Sequence, residues 1–372
     1  MRSGIFGQPK LWAISNSMSD LYHAIYDGEI FQQSRCIWHE NSLMDFFKST
    51  LTSLGYKSAG FSDKVWQRDN KKVVICLVDD FSTCGDHSKQ LPYLFDRNTT
   101  VITDNRVNCP TEYRVIQLPE SFFGIYSHKP EYPNWAPKRR FNFAVNRMDA
   151  KRLLMFLELH SAHPEYAVSQ DTDYVNFNCW SWDGDNTTEQ GLRDNFEKQF
   201  LLLNERYRER YRDTFNMLLP DMPYRNHTYT MEQSHVRAWV NLVMETYSSD
   251  TTIALSEKIF RALCMPVPWV VYSGKYTVAY LRSLGFDVLE DLVGHHYDSI
   301  IENHSAEYGD KMIEYVFDAV KATSLMQDKP FNELKQRCEQ AAAHNQKLLA
   351  TMQQQWPADF AAWLPKVIEQ IK

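Results

Sequence analysis

The sequence predicts an α/β protein with mostly parallel sheets, divided into two domains and ending in a helical segment. Three observations carry that prediction. Apolar runs of strand length recur, several of them apolar on both faces, which is the pattern of strands in a covered parallel sheet. Helical patterns follow several of these runs, and alternation on this scale marks βαβ construction. The 372 residues exceed the size at which one hydrophobic core usually stops growing.

The strand signals, in chain order, are "KKVVICLVDDFST" (71–83), "NTTVITDNR" (98–106), "EYRVIQLP" (112–119), "FNFAVNR" (141–147) and "VPWVVYSG" (267–274). Val73 to Val78 form an unbroken apolar run, so neither face of that strand faces water. "DAKRLLMFLELHSAH" follows "FNFAVNR" as a helix, and "KYTVAYLRSLGF" follows "VPWVVYSG" in the same way. Residues 189–219 read as one long amphipathic helix or a helix pair, and the last part of the chain turns helical through "GDKMIEYVFDAVKATSLM", "FNELKQRCEQAAAHNQKLLATMQQQW" and "DFAAWLPKVIEQI". Three prolines and a basic cluster in "YSHKPEYPNWAPKRR" (126–140) interrupt the periodic segments. The expected division is therefore an N-terminal α/β domain over 1–135 and a second α/β domain with the terminal helices over 136–372.

Composition excludes several classes. A 44% hydrophobic, 23% charged chain is ordinary for a globular protein, and no apolar run approaches the roughly 20 residues of a membrane span. The opening residues show no basic segment followed by a secretory apolar stretch. Seven scattered cysteines, odd in number and without a CxxC pair, point to a reduced, cytoplasmic setting and away from a zinc site. The net charge of −7 argues against a protein whose main task is coating nucleic acid.

Ligands of open α/β sheets bind at the carboxyl ends of strands, so polar residues at strand-to-helix junctions are the first candidates. "AVNRMDAKR" sets Asn146, Arg147, Lys151 and Arg152 around a helix start, where an arginine fork suits phosphate oxygens; solvated surface charge is the plain alternative for Arg147 and Lys151. In "TTIALSEKIFRALCMPVPWVVYSG" (251–274), Ser256 can cap a helix opened by Glu257, whose acidic side chain the helix dipole favours. Lys258 is opposed by that dipole unless an anion is held nearby. Upstream, the strand Val240 to Met244 ends in Glu245, a second carboxylate at a strand end.

The ordered segments "NLVMET", "LSEKIFRAL", "MPVPWVVYSG" and "LRSLGFDVLEDLVGHHYDSI", with Arg152 early in the first helix, resemble the donor-binding half of fucosyltransferase-like glycosyltransferases. The resemblance covers roughly residues 141–300 and implies two Rossmann-like domains facing a cleft, the GT-B arrangement. It further implies a UDP- or GDP-linked nucleotide sugar as co-substrate, with Glu257 on the donor ribose and Lys258 and Arg152 on the diphosphate. No bound metal or other cofactor is implied, because cationic side chains take the leaving-group charge; Asp171 and Asp173 in "SQDTDYVN" have DxD spacing but read as loop residues. Inversion at the anomeric carbon follows from the same resemblance. The base would come from the first half, where the family motif is not recognisable. Asp79 and Asp80 after "VVICLV", Asp86 in "FSTCGDHSK" and, as a further alternative, Glu120 are the candidates, with a cap or turn role as the plain alternative.

The acceptor is a hydroxyl on a glycan or on a hydroxymethylated DNA base, the latter by analogy with viral glycosyltransferases. DNA requires a basic stripe, which Arg206, Arg208, Arg210 and Arg212 form only if they join Lys138 to Arg140 rather than pair locally with groups such as Glu205 and Glu209. His295 and His296 read as loop residues lining the cleft. The competing reading is a non-catalytic nucleotide- or glycan-binding protein, which needs no base; a third is a structural protein in which Glu257 and Lys258 only cap a helix.

Overall fold

The computed structural model describes residues 45, 47–59, 65–76, 97–103, 106–107, 113–117, 134–144, 149–162, 175–178, 189–218, 235–245, 252–253, 255–300 and 309–372. The strands are β1 (Lys57–Ser58), β2 (Val65–Arg68), β3 (Lys71–Cys76), β4 (Thr99–Thr103), β5 (Arg106–Val107), β6 (Arg114–Gln117), β7 (Arg139–Ala144), β8 (Val175–Asn178), β9 (Ala238–Met244), β10 (Thr252–Ile253) and β11 (Trp269–Tyr272). The helices are α1 (Ala150–Ala162), α2 (Glu189–Leu201), α3 (Glu205–Leu218), α4 (Glu257–Leu263), α5 (Thr277–Ser283), α6 (Gly309–Gln327) and α7 (Phe331–Ile371), with a 3₁₀ turn at His296–Ser299. The fold is α/β, as the alternation of patterns requires. Among the described residues no helix is long and apolar enough to cross a membrane.

Two compact units divide the chain. The first comprises Met1–His128, Thr251–Ala254 and Leu349–Lys372. Its main sheet has the order β1-β2-β3-β4-β6, with β3, β4 and β6 parallel and β1 and β2 added antiparallel at one edge. Successive residues Val73, Val74 and Ile75 are all buried, as are Val101 and Ile102, so both faces of the central strands are covered. The β2–β3 hairpin turns through Asp69 at φ 54°, a left-handed conformation that aspartate tolerates better than most residues. A second, two-stranded antiparallel sheet joins β5 to β10.

The sequence division assigns 349–372 to the other domain. Tyr56 Oη donates to the Ile371 carbonyl at 3.1 Å, Arg68 donates to Lys372 O at 2.8 Å, and Trp363 meets Phe47 edge-on. These contacts join residues some 300 positions apart in the chain, and no local pattern announces them.

The second unit comprises Lys129–Asp250 and Leu255–Leu348. It is built on a four-stranded, wholly parallel sheet of order β11-β9-β7-β8. Alternate residues of three strands (Phe141, Phe143; Val240, Leu242, Met244; Val270, Tyr272) enter one core with Leu153, Phe156 and Leu157 of α1, Tyr207, Tyr211 and Phe215 of α3, and Met312 and Tyr315 of α6. Burial of each such side chain stabilises the fold by about 1.5–3 kcal/mol. Along α3 the spacing Tyr207, Tyr211, Phe215 repeats every fourth residue, so the aromatic stripe faces the core while Arg206, Arg210 and Arg212 face outward. The helix pair in 189–219 is separated at Leu202–Asn204, where the Asn204 side chain accepts the Arg206 N–H at 3.1 Å and starts α3. The other set of the alternation, Asn241, Val243, Trp269 and Val271, points to the face on which α4 packs.

Candidate functional site

The carboxyl ends of β9 and β11 lie side by side, fixed by the Glu245 N–H donating to the Tyr272 carbonyl at 2.9 Å. Glu245 follows β9 directly, and its side chain is only 2% exposed. Its carboxylate accepts the Ser256 N–H at 3.2 Å and a short bond from Ser256 Oγ, and Lys258 Nζ stands 3.7 Å away. Ser256, in extended backbone, also accepts the Lys258 N–H at 3.2 Å and so caps α4. Three sequence candidates, Glu245, Ser256 and Lys258, thus form one cluster. The anion that a first-turn lysine needs is supplied by the protein itself: Glu245 offsets the dipole that opposes Lys258. Glu257 opens α4, and its side chain lies outside the description.

At the end of β7 the chain enters α1. The Asp149 carboxylate caps the helix, accepting the Arg152 N–H at 2.8 Å and standing 3.4 Å from the Arg152 guanidinium. Arg152 is 7% exposed, so the sequence candidate is an inward-facing arginine rather than a surface charge. Lys151 next to it sets its ammonium 5.3 Å from the centre of the Tyr272 ring. A second ammonium, Lys311 of α6, lies 5.8 Å from the same ring and donates to the Ser273 carbonyl at 2.8 Å. Lys311 is 2% exposed. Sequence reasoning passed over it, although "GDKMIEY" carries the same signal as "SEKIF": a lysine in the first turn of a helix, against the dipole.

In the segment "GHHYDS", His295, Tyr297 and Asp298 are buried in a hydrogen-bonded knot while Gly294, His296 and Ser299 are exposed, so of the two histidines read as loop residues only His295 faces inward. His295, 5% exposed with left-handed backbone at φ 51°, meets the Val288 carbonyl through Nε2 and Tyr297 Oη through Nδ1, both at 2.9 Å. Tyr297 Oη accepts the Val271 N–H of β11 at 2.8 Å. One proton arrangement satisfies the set: Nε2–H donates to Val288, and Tyr297 Oη–H donates to a neutral Nδ1. Burial accordingly holds the His295 pKa down at about 4. Asp298 accepts the Val278 and Ala279 N–H groups at 2.9 and 3.0 Å and starts α5. Burial raises its pKa, against those two bonds and the nearby charge of Lys311. Asp318 of α6 accepts the His296 N–H at 2.6 Å, and burial raises its pKa as well.

Other candidates are dispersed. Asp79, Asp80, Asp86, Glu120, Arg147, Asp171 and Asp173 lie outside the described residues. On α3, Arg210 pairs with buried Glu158 of α1 at 3.4 Å and lies 5.1 Å from the centre of the Tyr211 ring, while Arg208 donates to the Leu201 carbonyl at 3.2 Å. Two of the four arginines therefore serve the packing of α3. Cys264 and Cys338 are buried thiols whose pKa values burial pushes up to about 12, so neither is a thiolate nucleophile. Among the described residues, no three of His, Cys, Asp and Glu gather where they could hold a metal ion.

Comparison with known protein families finds none that the chain matches, and comparison with curated proteins finds no relative.

Proposed function

We propose that the protein is a glycosyltransferase that moves a sugar from a UDP- or GDP-linked donor to a hydroxyl acceptor, with the donor held at the carboxyl edge of the second unit's parallel sheet. One observation carries this reading: Glu245, Ser256 and Lys258 meet beyond the end of β9, in the position where open α/β sheets take nucleotides. Arg152, at the start of the helix after β7, serves the same edge. In this reading Lys258, Arg152 and Arg147 face the diphosphate, Glu257 takes the ribose hydroxyls, and Glu245 with Ser256 holds the Lys258 ammonium in place. No metal or other cofactor enters the reaction, and the two-Rossmann GT-B arrangement belongs to the same proposal.

The chemistry is a displacement at the anomeric carbon. The acceptor oxygen forms the new bond as its proton passes to a carboxylate, for which Asp79, Asp80 and Asp86 are the candidates. The anomeric C–O bond to the diphosphate breaks, and its electron pair leaves with the diphosphate. Cationic side chains fixed in advance lower the cost of that charge. The acceptor is a glycan or a hydroxymethylated DNA base, with inversion at the anomeric carbon.

The test is a thermal-shift screen of nucleoside diphosphates and nucleotide sugars, since a ligand of the native state alone raises its stability by mass action. A UDP- or GDP-sugar should raise Tm, and transfer by Lys258→Met should fall by a factor on the order of 100. Absence of any shift with either nucleotide class would remove the reading. A shift without transfer to any acceptor would favour a nucleotide-binding protein.

A further inference from the structure

α7 is a helix of 41 residues whose first part belongs to the second unit and whose last part, from Leu349, belongs to the first. Side-chain bonds seat the first part. Arg337 donates to both oxygens of Asp287, at 2.7 and 3.0 Å, and to both of Asp291, at 3.0 and 2.7 Å. Asn345 donates to the Leu263 and Asp287 carbonyls at 2.8 and 2.9 Å and accepts the Asp287 N–H at 2.8 Å, while Leu334, Cys338 and Ala341 enter the core. In the last part, donors of the first unit meet the final turn, whose carbonyls have no partners within a helix. Tyr56 donates to the Ile371 carbonyl at 3.1 Å, Arg68 to Lys372 O at 2.8 Å and Arg114 to the Gln370 carbonyl at 3.3 Å. Arg68 is itself fixed by the Leu54 carbonyl at 2.6 Å and lies 4.7 Å from the centre of the Tyr56 ring. Both guanidinium groups stand at the negative end of the helix dipole, which favours them. Val367 and Ile371 are buried there, and Trp363 meets Phe47 edge-on. Between the two seats the helix contains Pro357 and Pro365. Neither has an N–H to donate to the carbonyl four residues before it, so the ladder of α7 lacks two bonds in this stretch.

We propose that residues 358–371 are a strap that leaves the first unit as one body, turning at Pro357, while residues 331–348 stay seated. Leaving withdraws Val367 and Ile371 from the core and uncovers Phe47 and Tyr56, which Trp363 and Ile371 meet when the strap is in place. A free segment of this length, with a proline inside it, does not hold a helix in water, so its amides open together once it is released. Docked and undocked, the strap gives the first unit a closed and an open form, and Arg68 and Arg114 set the balance between them.

The experiment is amide hydrogen exchange of the full chain under native conditions, resolved along α7 and β3. Amides of 358–371 should exchange with one common protection, ~10-fold or more below that of 334–348 and of Val73, Val74 and Ile75. Arg68→Met removes a donor from the last turn and should speed exchange of the strap a further ~10-fold while leaving 334–348 unchanged. Pro357→Ala restores a bond at the turning point and should slow it by a similar factor. Three results overturn the strap. Protection equal to that of 334–348 means that α7 opens as a whole, and protection equal to that of β3 means that the first unit does. Protection that declines steadily toward Ile371, unchanged in Arg68→Met and Pro357→Ala, means ordinary fraying of a helix end.

Discussion

Lys258 and Lys311 occupy equivalent positions, each in the first turn of a helix that starts at the carboxyl edge of the same parallel sheet, and the protein supports them by opposite means. Lys258 is partly exposed and faces a buried carboxylate at 3.7 Å. Lys311 is buried and rests on a carbonyl dipole and an aromatic quadrupole. Charge against charge holds the Lys258 ammonium in one place while leaving it partly exposed. A carbonyl and a ring fix the place of the Lys311 ammonium, whose charge also reaches Asp298. The difference teaches that a first-turn lysine is not by itself a sign of an anion site; what stands opposite it decides.

The comparison breaks most readily at Glu245. Glu245→Ala removes the acceptor of the Ser256 N–H and Oγ–H and the buried carboxylate that faces Lys258, and stability measured by urea unfolding should fall by about 3 kcal/mol. Lys311→Met removes one donor from a carbonyl and should cost less, about 1–2 kcal/mol. The reverse order would mean that the two sites are not built as described.

Acid should reach the Lys311 side first. The His295 pKa is held at about 4 against an ordinary 6.5, so between these values the unfolded chain binds more protons than the native one. Its contribution is intact above pH 6.5 and is lost as pH falls toward 4. His160 at about 4 and His235 at about 3, both lowered by burial, act in the same direction. His295→Gln should remove up to about 1.4 kcal/mol per pH unit from the acid slope of stability; an unchanged slope would show that His295 is not held neutral.

A finer test is the double-mutant cycle of Glu245→Gln with Lys258→Met, which should give a coupling of about 1 kcal/mol, whereas Glu245→Gln with Lys311→Met should be additive within about 0.5 kcal/mol. Smallest of all, Arg212→Ala removes an outward-facing charge of α3 and should change stability by less than about 0.5 kcal/mol, read as a shift in the urea midpoint. If the acceptor is DNA, the same variant should also reduce the salt dependence of DNA binding.

Much of the second unit was legible because its signals are local. The runs around Phe141 and Trp269 are strands, the 189–219 segment is two helices, and Ser256 caps α4, all readable from spacing and residue type. The Glu245–Lys258 pair was not, since the two residues belong to different elements and the packing of α4 against β9 brings them together. For the same reason Lys311 went unnoticed: nothing in "GDKMIEY" says that Tyr272 lies beside it. Of the histidine pair only His295 departs from a solvated loop: it is buried and satisfied by partners two and seven residues away, whereas His296 is exposed.

The bond from the Val271 N–H to Tyr297 has a further consequence, for self-association. Among the described residues β11 is the outermost strand of its sheet, and an outermost strand offers its backbone donors to any extended chain that arrives. The phenol oxygen of Tyr297 already holds one of them, and the knot around His295 keeps that oxygen where it is. The sheet is closed at this point by a side chain instead of a strand. Loosening the knot therefore exposes an adhesive edge, and Tyr297→Phe should show its effect first as concentration-dependent aggregation, ahead of any change in melting.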